Sequence, residues 1–205
     1  MSMSATKKGR GPKKLAGGEP SLVARAVKVR AVLDAAAEVL GEDGVEGFNV
    51  REVAKRVGAS TMVIYTLFGG RDGLLAAVCQ DSLERLAVSF DRVGHGDHLA
   101  ALGSLAVRYR RFALTRREYY RAILLAPSLS SQVRGSRALA ILVRTVKACM
   151  DAGALAQGDP EIAADALWGL VHGMVGLELG GHFPSSRVAE ERFLLAGKAL
   201  LAGLR

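Results

Sequence analysis

The stretch that decides the fold is VGASTMVIYTLFGG, residues 57–70. Gly58 can end one helix and Ser60 can cap the next, which has about nine helix-compatible residues before the closing glycine pair. Isolated helices shorter than about 12 residues are marginal in water. We therefore expect other parts of the chain to hold this helix and a partner to use its free face.

The helix predicted in this stretch has one apolar side. Ile64, Leu67 and Phe68 recur at i, i+3 and i+4, the spacing that places side chains on one face. This set is expected to pack inward. The residues that then point largely elsewhere are Thr61, Met62, Tyr65 and Thr66.

Two further helices are predicted before it. The segment FNVREVAKRVG, residues 48–58, offers Asn49 as a cap and Glu52 as its capping-box partner. A longer amphipathic helix is predicted upstream, from Ser21 to a stop at Gly44. Two short helices that are joined by a tight turn and rest on a longer one have the layout of a helix-turn-helix, whose second helix lies in the major groove of DNA.

Helical periodicity continues to the end of the sequence, without a convincing alternating strand pattern. The remaining predicted helices cover residues 72–93, 98–115, 117–126, 131–151, 160–180 and 186–204. We predict an all-α fold, in which an N-terminal three-helix helix-turn-helix domain is joined to a C-terminal helical bundle.

The helix predicted over residues 160–180 carries a stripe of glycines. They recur at i, i+4, i+7 and i+11 and are Gly169, Gly173, Gly176 and Gly180. Each costs about 1 kcal/mol relative to alanine in a helix interior, so the stripe calls for a compensating contact. Close approach of another helix at a dimer interface is the simplest compensation, and a loosely packed helix is the alternative.

The net positive charge is concentrated at the N-terminus. Residues 1–30 contain eight Lys or Arg and one Glu, whereas the rest of the chain has 20 basic and 19 acidic residues. Residues 31–72 have four basic and seven acidic residues, so this part has little general attraction for DNA. A solubilising tail is one interpretation, but the deficit favours an arm that follows the DNA backbone or enters a minor groove. Its basic residues are Lys7, Lys8, Arg10, Lys13 and Lys14.

Composition argues against a membrane or secreted protein. The most apolar stretch, residues 162–183, contains Asp165, His172 and Glu178, so a membrane span is not expected. The basic N-terminus is not followed by the apolar segment of a secretory signal. We therefore predict a cytoplasmic protein that does not associate with membranes.

Candidate catalytic and metal-binding groups are sparse. His95 and His98 lie in a glycine-rich connector without further ligands, so no metal site is predicted. Cys79 and Cys149 occur singly in apolar helical patterns and are expected to be free thiols. We find no Ser-His-Asp or phosphate-loop pattern, and we predict neither a catalytic residue nor a cofactor.

Residues 31–78 resemble the DNA-binding domain of the tetracycline-repressor (TetR) family, with the helices in the same order. Residues 105–125 and 166–181 resemble, more weakly, the C-terminal domain of the TetR subgroup named for a Trp-His-Gly signature. The residues in the signature positions are Trp168, His172 and Gly173. The resemblance implies a homodimeric transcriptional regulator, usually a repressor, that binds a palindromic operator in double-stranded DNA and is released by a small molecule.

The resemblance also implies a division of the chain and roles for its residues. The division is a flexible basic arm (1–20), a helix-turn-helix domain (21–70) and a ligand-binding and dimerisation domain (71–205). Arg51 would read a base or a phosphate. The major-groove positions would be Thr61, Met62, Val63 and Tyr65, and the usual phosphate positions are Asn49, Thr66 and Arg71. Independently, the helix that starts at Ser60 has free N–H groups that can hold a phosphate.

The ligand side is predicted from residue types alone. The C-terminal residues most able to line an apolar pocket are Tyr109, Phe112, Tyr119, Tyr120, Met150, Trp168 and His172. A hydrophobic core would use most of them too, and core packing is the alternative for each. The expected mechanism couples this pocket to the helix over residues 72–93, so that ligand changes the separation of the two recognition helices. Two other functions stay open, a helix-turn-helix that docks on a protein and a helical enzyme that does not bind DNA.

Overall fold

The computed structural model describes residues 22–91, 93, 97–124 and 133–205. Every regular element in these ranges is an α-helix, as predicted. The helices are α1 (Leu22–Gly47), α2 (Val50–Arg56), α3 (Thr61–Phe68), α4 (Arg71–Phe90), α5 (His98–Thr115), α6 (Arg117–Leu124), α7 (Arg137–Asp151), α8 (Pro160–Leu179) and α9 (Ser186–Gly203). The predicted basic arm, residues 1–20, lies outside the described residues, as does His95.

Helix α1 confirms the predicted apolar stripe and its stop. Val32, Leu33, Ala36 and Leu40 are buried on one side of the helix. Gly44 interrupts the helical backbone with φ 71° and ψ −173°, a conformation that glycine alone adopts readily. The chain therefore turns toward α2 where the sequence predicted.

The caps of α2 and α3 differ from prediction in detail. Asn49 Oδ1 accepts the backbone N–H of Arg51 at 2.8 Å, which confirms this cap. Glu52 pairs with Arg56 instead of closing a capping box, because a charged partner one turn away offers a stronger hydrogen bond than a neutral N–H. Ser60 occupies the N-cap position of α3 with an extended backbone, yet its hydroxyl makes no capping bond to the described residues. The free N–H groups of α3 are left to another acceptor.

Tertiary packing holds α3, as its short length requires. Ile64 is completely buried, and Phe68 is half-buried against the same core. The end of α3 is fixed by Gly69 and Gly70, which adopt φ values of 76° and 115°. Gly73 then lets α4 approach so closely that a Cβ at this position would lie 1.8 Å from the Phe68 carbonyl oxygen.

Helix α4 joins the two halves of the molecule. It packs on α1 and α3 at one end and on α5, α6 and α7 along the rest of its length. One apolar core runs from Val32 in α1 to Phe193 in α9. The domain boundary predicted between residues 70 and 71 stays a prediction, because α4 belongs to the packing of both halves.

The C-terminal helices lie close to their predicted bounds, with two exceptions. Helix α5 matches the predicted residues 98–115, whereas α4 ends at Phe90 rather than 93 and α7 begins at Arg137 rather than 131. Ser136 sets the start of α7, because its buried Oγ accepts the backbone N–H of Leu139 at 3.2 Å. This cap is local chemistry that the apolar periodicity alone did not indicate.

Helix α8 is unusually exposed for its composition. Of the helices in the described ranges, each taken by itself, α8 is the one that is long and apolar enough to cross a membrane. Only 17% of its 18-residue apolar segment is buried. It also carries Glu178, which forms a largely buried ion pair with Arg110 of α5 at 2.8 Å. An apolar helix face without a partner in the same chain is therefore a feature that the function must explain.

Candidate nucleic-acid interface and ligand cavity

Helix α3 turns one face to solvent. Met62 and Tyr65 are 71% and 55% exposed although both side chains are large. Thr66 is also exposed, and its hydroxyl donates to the Met62 carbonyl at 2.8 Å. Thr61 and Val63 are half-buried beside them. The groove-facing set predicted from the sequence is thus brought together on one surface, which carries no charged side chain.

Arg56 of α2 is held by carboxylates. Its Nη2 lies 2.6 Å from Glu42 Oε2, its Nη1 lies 3.7 Å from Glu38 Oε2, and its Nε contacts Glu52. Hydrogen bonding to Glu42 is the main cause that raises the pKa of Arg56. Because its donors are occupied within the protein, Arg56 adds little attraction for phosphates.

Arg71 has a structural role that residue type alone did not reveal. Its Nε donates to the Phe48 carbonyl at 3.3 Å, and its Nη2 donates to the Val45 carbonyl. These bonds fasten the turn between α1 and α2 to the start of α4. The phosphate contact of Arg71 stays a prediction. It would involve a guanidinium group that already donates hydrogen bonds to backbone carbonyls of the protein. Arg51, in contrast, is exposed at the start of α2 and makes no side-chain ion pair with the described residues.

Helix α6 connects the helix-turn-helix to the bundle. The Tyr119 hydroxyl donates to Asp34 Oδ1 of α1, and Arg85 of α4 reaches the same oxygen at 2.5 Å. The Arg85 guanidinium also lies 4.1 Å from the centre of the Tyr119 ring, a cation–π contact. Arg121 donates to the Gly41 carbonyl of α1. Tyr119 therefore serves the junction between the two halves.

The next residue, Tyr120, faces a second cluster in the bundle. Its hydroxyl donates to the His172 carbonyl at 3.0 Å, and the Tyr109 hydroxyl lies 2.5 Å from His172 Nδ1. Trp168 packs edge-on against Tyr109 with 5.2 Å between ring centres. Burial lowers the pKa of His172 and raises that of Tyr109 well above its ordinary value. The neutral imidazole can thus accept a hydrogen bond from the Tyr109 hydroxyl at Nδ1 and carry its own proton on Nε2.

A cavity of about 200 Å³ lies beside this cluster, between α5, α8 and α9. Its apolar walls include Phe90, Leu105, Leu142, Leu167, Val171 and Phe193. The polar or charged side chains in its lining are Tyr109, Trp168 and Lys198. The cavity therefore suits a molecule with an apolar body and few polar groups.

The structure brings two of the seven predicted ligand residues to this cavity. Tyr109 and Trp168 line it, whereas Phe112, Tyr119, Tyr120, Met150 and His172 do not. Most of the wall comes from aliphatic residues, whose type does not distinguish a cavity from a core. Lys198 was missed, although it occurs among apolar residues in α9, with Leu194 and Leu201 at helical spacing, and this interruption was the available signal.

Three of the four stripe glycines face open space among the described residues. A Cβ on Gly169, Gly173 or Gly176 would meet no heavy atom of the described residues within 4 Å. At Gly180 it would lie 2.9 Å from His182 Nδ1. The compensating helix that the sequence called for is thus absent from the described part of this chain, and the dimer interface stays a prediction.

Other chemistry is scarce in the described ranges. They contain no group of three or more His, Cys, Asp or Glu side chains that could hold a metal ion. Cys79 and Cys149 are buried, free thiols, and burial raises the pKa of Cys79 to about 11. Neither thiol is therefore poised to act as a thiolate.

Comparisons with known proteins match both halves. The family model described as bacterial regulatory proteins, tetR family, matches residues 32–78, and a tetracyclin repressor-like C-terminal domain matches residues 102–198. The HTH-type transcriptional regulator BetI of Escherichia coli O45:K1 (strain S88) is 30% identical over 89 residues, 43% of this chain. That alignment spans 44% of BetI, so the chain covers less than half of this curated relative.

Solved structures share the fold over nearly the whole described chain. A protein of unknown function from Rhodococcus sp. RHA1 is 28% identical, with a TM-score of 0.71 and coverage of 86% of this chain and 94% of that one. The fatty acid degradation regulator FadR of Bacillus halodurans is 19% identical, with a TM-score of 0.75 and coverage of 87% and 96%. FadR of Bacillus subtilis, solved in complex with stearoyl-CoA, is 16% identical, with a TM-score of 0.71 and coverage of 86% and 99%. With both domain models matched in order and the same architecture throughout, the chain belongs to the TetR family of bacterial regulatory proteins.

Proposed function

We propose that the chain is a homodimeric transcriptional repressor that binds a palindromic operator and releases it when a small, largely apolar molecule occupies the cavity. The observation that carries the proposal is the outer face of α3. A helix of eight residues is fixed by buried Ile64 and presents Met62 and Tyr65 to solvent. Large exposed side chains on a rigidly held helix mark a surface that binds a partner, and the family match supports DNA as that partner.

The composition of this face indicates how it would read DNA. Met62 and Val63 cannot hydrogen-bond a base edge, but they can contact the methyl groups of thymine in the major groove. Exposed Arg51 can form a bidentate contact to guanine. The free N–H groups at the start of α3, which no Ser60 cap occupies, can hold a backbone phosphate. The operator is thus expected to contain thymines beneath α3 and a guanine beside them.

Dimerisation is supported by the exposed face of α8 and α9. Ile162 and Leu177 of α8 and Leu195 of α9 are 70%, 42% and 67% exposed. Gly169 and Gly173 lie in the same part of α8 with open space in front of them. A second copy would bury these side chains and use the glycines for close helix approach, and it would place two recognition helices on half-sites about 34 Å apart.

A ligand in the cavity has a direct physical route to α1. The cavity touches Tyr109, which contacts His172, and the His172 carbonyl holds Tyr120 of α6. The adjacent Tyr119 is bonded to Asp34 of α1. A shift of α6 would therefore move α1 relative to the bundle, in addition to the coupling through α4 that the sequence suggested. FadR of Bacillus subtilis, with its stearoyl-CoA, supports an effector with an apolar chain.

The first test is selection of bound sequences from a random duplex pool by the full chain at moderate salt. We expect an inverted repeat, which would establish operator binding and two-fold symmetry together. Met62→Ala and Tyr65→Ala should each weaken binding of the selected duplex by about tenfold or more, since a large side chain contributes about 1.5–3 kcal/mol when buried.

The matched control is Val88→Ala, which truncates an exposed apolar residue of α4, outside α3. This variant should bind the duplex as the unchanged chain does. If the folded chain enriches no sequence, DNA binding is excluded as its function, and capture of a protein by α3 becomes the next hypothesis.

A further inference from the structure

We propose that the cavity binds a carboxylate with an apolar chain, with Lys198 binding the carboxylate group and the apolar walls binding the chain. This inference rests on the proposed function, because it takes the cavity to be the effector site. It adds the charge of the molecule, which neither the fold nor the family match specifies.

The polar groups of the cavity favour a ligand whose polar group accepts hydrogen bonds. Lys198 supplies an ammonium group, and the described residues place no carboxylate within ion-pair distance of it. The indole N–H of Trp168 has no hydrogen-bond partner among the described residues. The Tyr109 hydroxyl is already engaged with His172. Two side chains that can donate hydrogen bonds, and no carboxylate, therefore line the site. This matches a carboxylate, which only accepts hydrogen bonds, and disfavours an amine.

The position of Lys198 suits a head group at the cavity mouth. Lys198 is exposed on α9, whereas Tyr109 and Phe193 in the same lining are buried. Gly103 of α5 and Gly197 of α9 also line the cavity, and a Cβ on either would meet open space. The missing side chains leave an opening beside Lys198. A carboxylate there stays partly hydrated, which avoids the large cost of burying a charge.

Trp168, the single tryptophan of the chain, provides the measurement. It lines the cavity, so its fluorescence should report occupancy without DNA. We would titrate the full chain with octanoate and 1-octanol. Octanoate should saturate the signal at a concentration about twofold to fivefold below that of 1-octanol, as expected for an ion pair that stays exposed to water.

Variants assign the preference to Lys198. Lys198→Gln should bring octanoate to the level of 1-octanol, and Lys198→Arg should retain most of the difference. The control is Lys147→Gln, an exposed lysine that pairs with Asp151 on α7, and it should behave as the unchanged chain.

Each contrary result has a distinct meaning. Equal binding of octanoate and 1-octanol, or an unchanged preference in Lys198→Gln, overturns the carboxylate assignment but leaves an apolar effector in place. If neither octanoate nor 1-octanol changes the fluorescence, the cavity is not the effector site, whereas operator selection, which uses no ligand, continues to test DNA binding.

Discussion

A missing methyl group at Gly73 determines how the recognition helix meets the helix after it. A Cβ at this position would lie 1.8 Å from the Phe68 carbonyl oxygen, a backbone atom that no rotamer change can move. An added methyl group must therefore push α3 and α4 apart. Since Ile64 anchors α3 in the core, the displacement would reach the packing of the whole helix-turn-helix.

Gly73→Ala is expected to lower the free energy of unfolding by about 1–3 kcal/mol, the usual cost of overpacking. Urea denaturation followed by circular dichroism would measure it. Gly103→Ala is the matched control, because that helical glycine has open space in front of it and should gain about 1 kcal/mol from better helix propensity. A Gly73→Ala variant as stable as the unchanged chain would show that α3 and α4 are not packed this closely.

His172 should make stability depend on pH. Its pKa is lowered by burial. Below about pH 6.5, His172 therefore binds a proton in the unfolded chain but resists protonation in the folded chain. Stability is thus full above that pH and falls on acidification, by at most about 1.4 kcal/mol per pH unit. The urea midpoint, measured from pH 7.5 to 5.5, should fall less in His172→Asn than in the unchanged chain.

The comparison for this effect is His182→Asn, since His182 is exposed. That variant should retain the pH dependence of the unchanged chain. If His172→Asn and the unchanged chain lose stability in parallel, other groups cause the acid sensitivity and the buried contact with Tyr109 does not.

The eight-residue helix α6 has two adjacent tyrosines with different partners. Tyr119 bonds to α1, and Tyr120 bonds to the carbonyl of His172 in α8. The fit of α6 on α1 is tight, since a Cβ on Gly41 would lie 3.1 Å from Glu118 Cβ. A short helix held at both sides can transmit a displacement, although proof requires that both sites bias it.

Tyr119→Phe should therefore weaken the coupling between ligand and operator. The variant loses a hydrogen bond to a carboxylate, which contributes about 1.5–3 kcal/mol. We expect it to bind octanoate like the unchanged chain but to show a several-fold smaller change in operator affinity when octanoate is saturating. Fluorescence of Trp168 and operator titrations measure the two quantities separately.

Tyr65→Phe is the control for this change, because it removes a hydroxyl from an exposed tyrosine outside α6. Its ratio of operator affinities with and without octanoate should equal that of the unchanged chain. If octanoate changes the operator affinity of Tyr119→Phe as much as that of the unchanged chain, the α6 contact does not transmit the ligand signal. Helix α4 would then be the remaining route between cavity and DNA.

The helices could be predicted because their signals are local. Apolar spacing located all nine described helices, and Gly44, Asn49 and Pro160 marked ends that the structure confirms. The errors have a common physical cause. The capping box at Glu52 and the start of α7 were decided by competing partners, Arg56 and Ser136, whose effect periodicity does not capture.

The ligand cavity could not be predicted to the same degree. Aromatic residues were predicted to line the cavity, but Tyr119 bonds to α1 and Tyr120 bonds to His172. Most of the cavity wall consists of aliphatic residues of α5, α8 and α9. A cavity depends on which faces of distant helices meet, and residue type does not specify that. The outer face of α3 was easier to predict, because helical spacing alone places Ile64 on one side of the helix and Met62 and Tyr65 on another.

The charge distribution of the whole molecule leaves the basic arm as the main source of attraction for DNA. Helix α3 carries no charge, Arg56 is held by three carboxylates, and Arg71 is bonded to backbone carbonyls and to Asp72. Lys55 lies 3.7 Å from Glu52. Of the basic residues from α2 to the start of α4, Arg51 is the one without such a contact in the described ranges. Most of the phosphate neutralisation is then expected to come from residues 1–20, with Arg25 and Lys28 of α1 as further exposed cations.

Deletion of residues 1–20 is therefore expected to weaken operator binding and to flatten its dependence on salt. The segment contains five Lys or Arg, and each neutralised phosphate contributes about 0.9 to the slope of log affinity against log salt, so the slope should fall by at most about 4.5 per protomer. Titrations at salt concentrations from about 50 to about 200 mM, where this effect is large, would measure the slope. A chain in which Ser replaces these five residues separates charge from length, because it should behave like the deletion. An unchanged slope in both would show that the arm does not touch DNA and that binding depends on α3 alone.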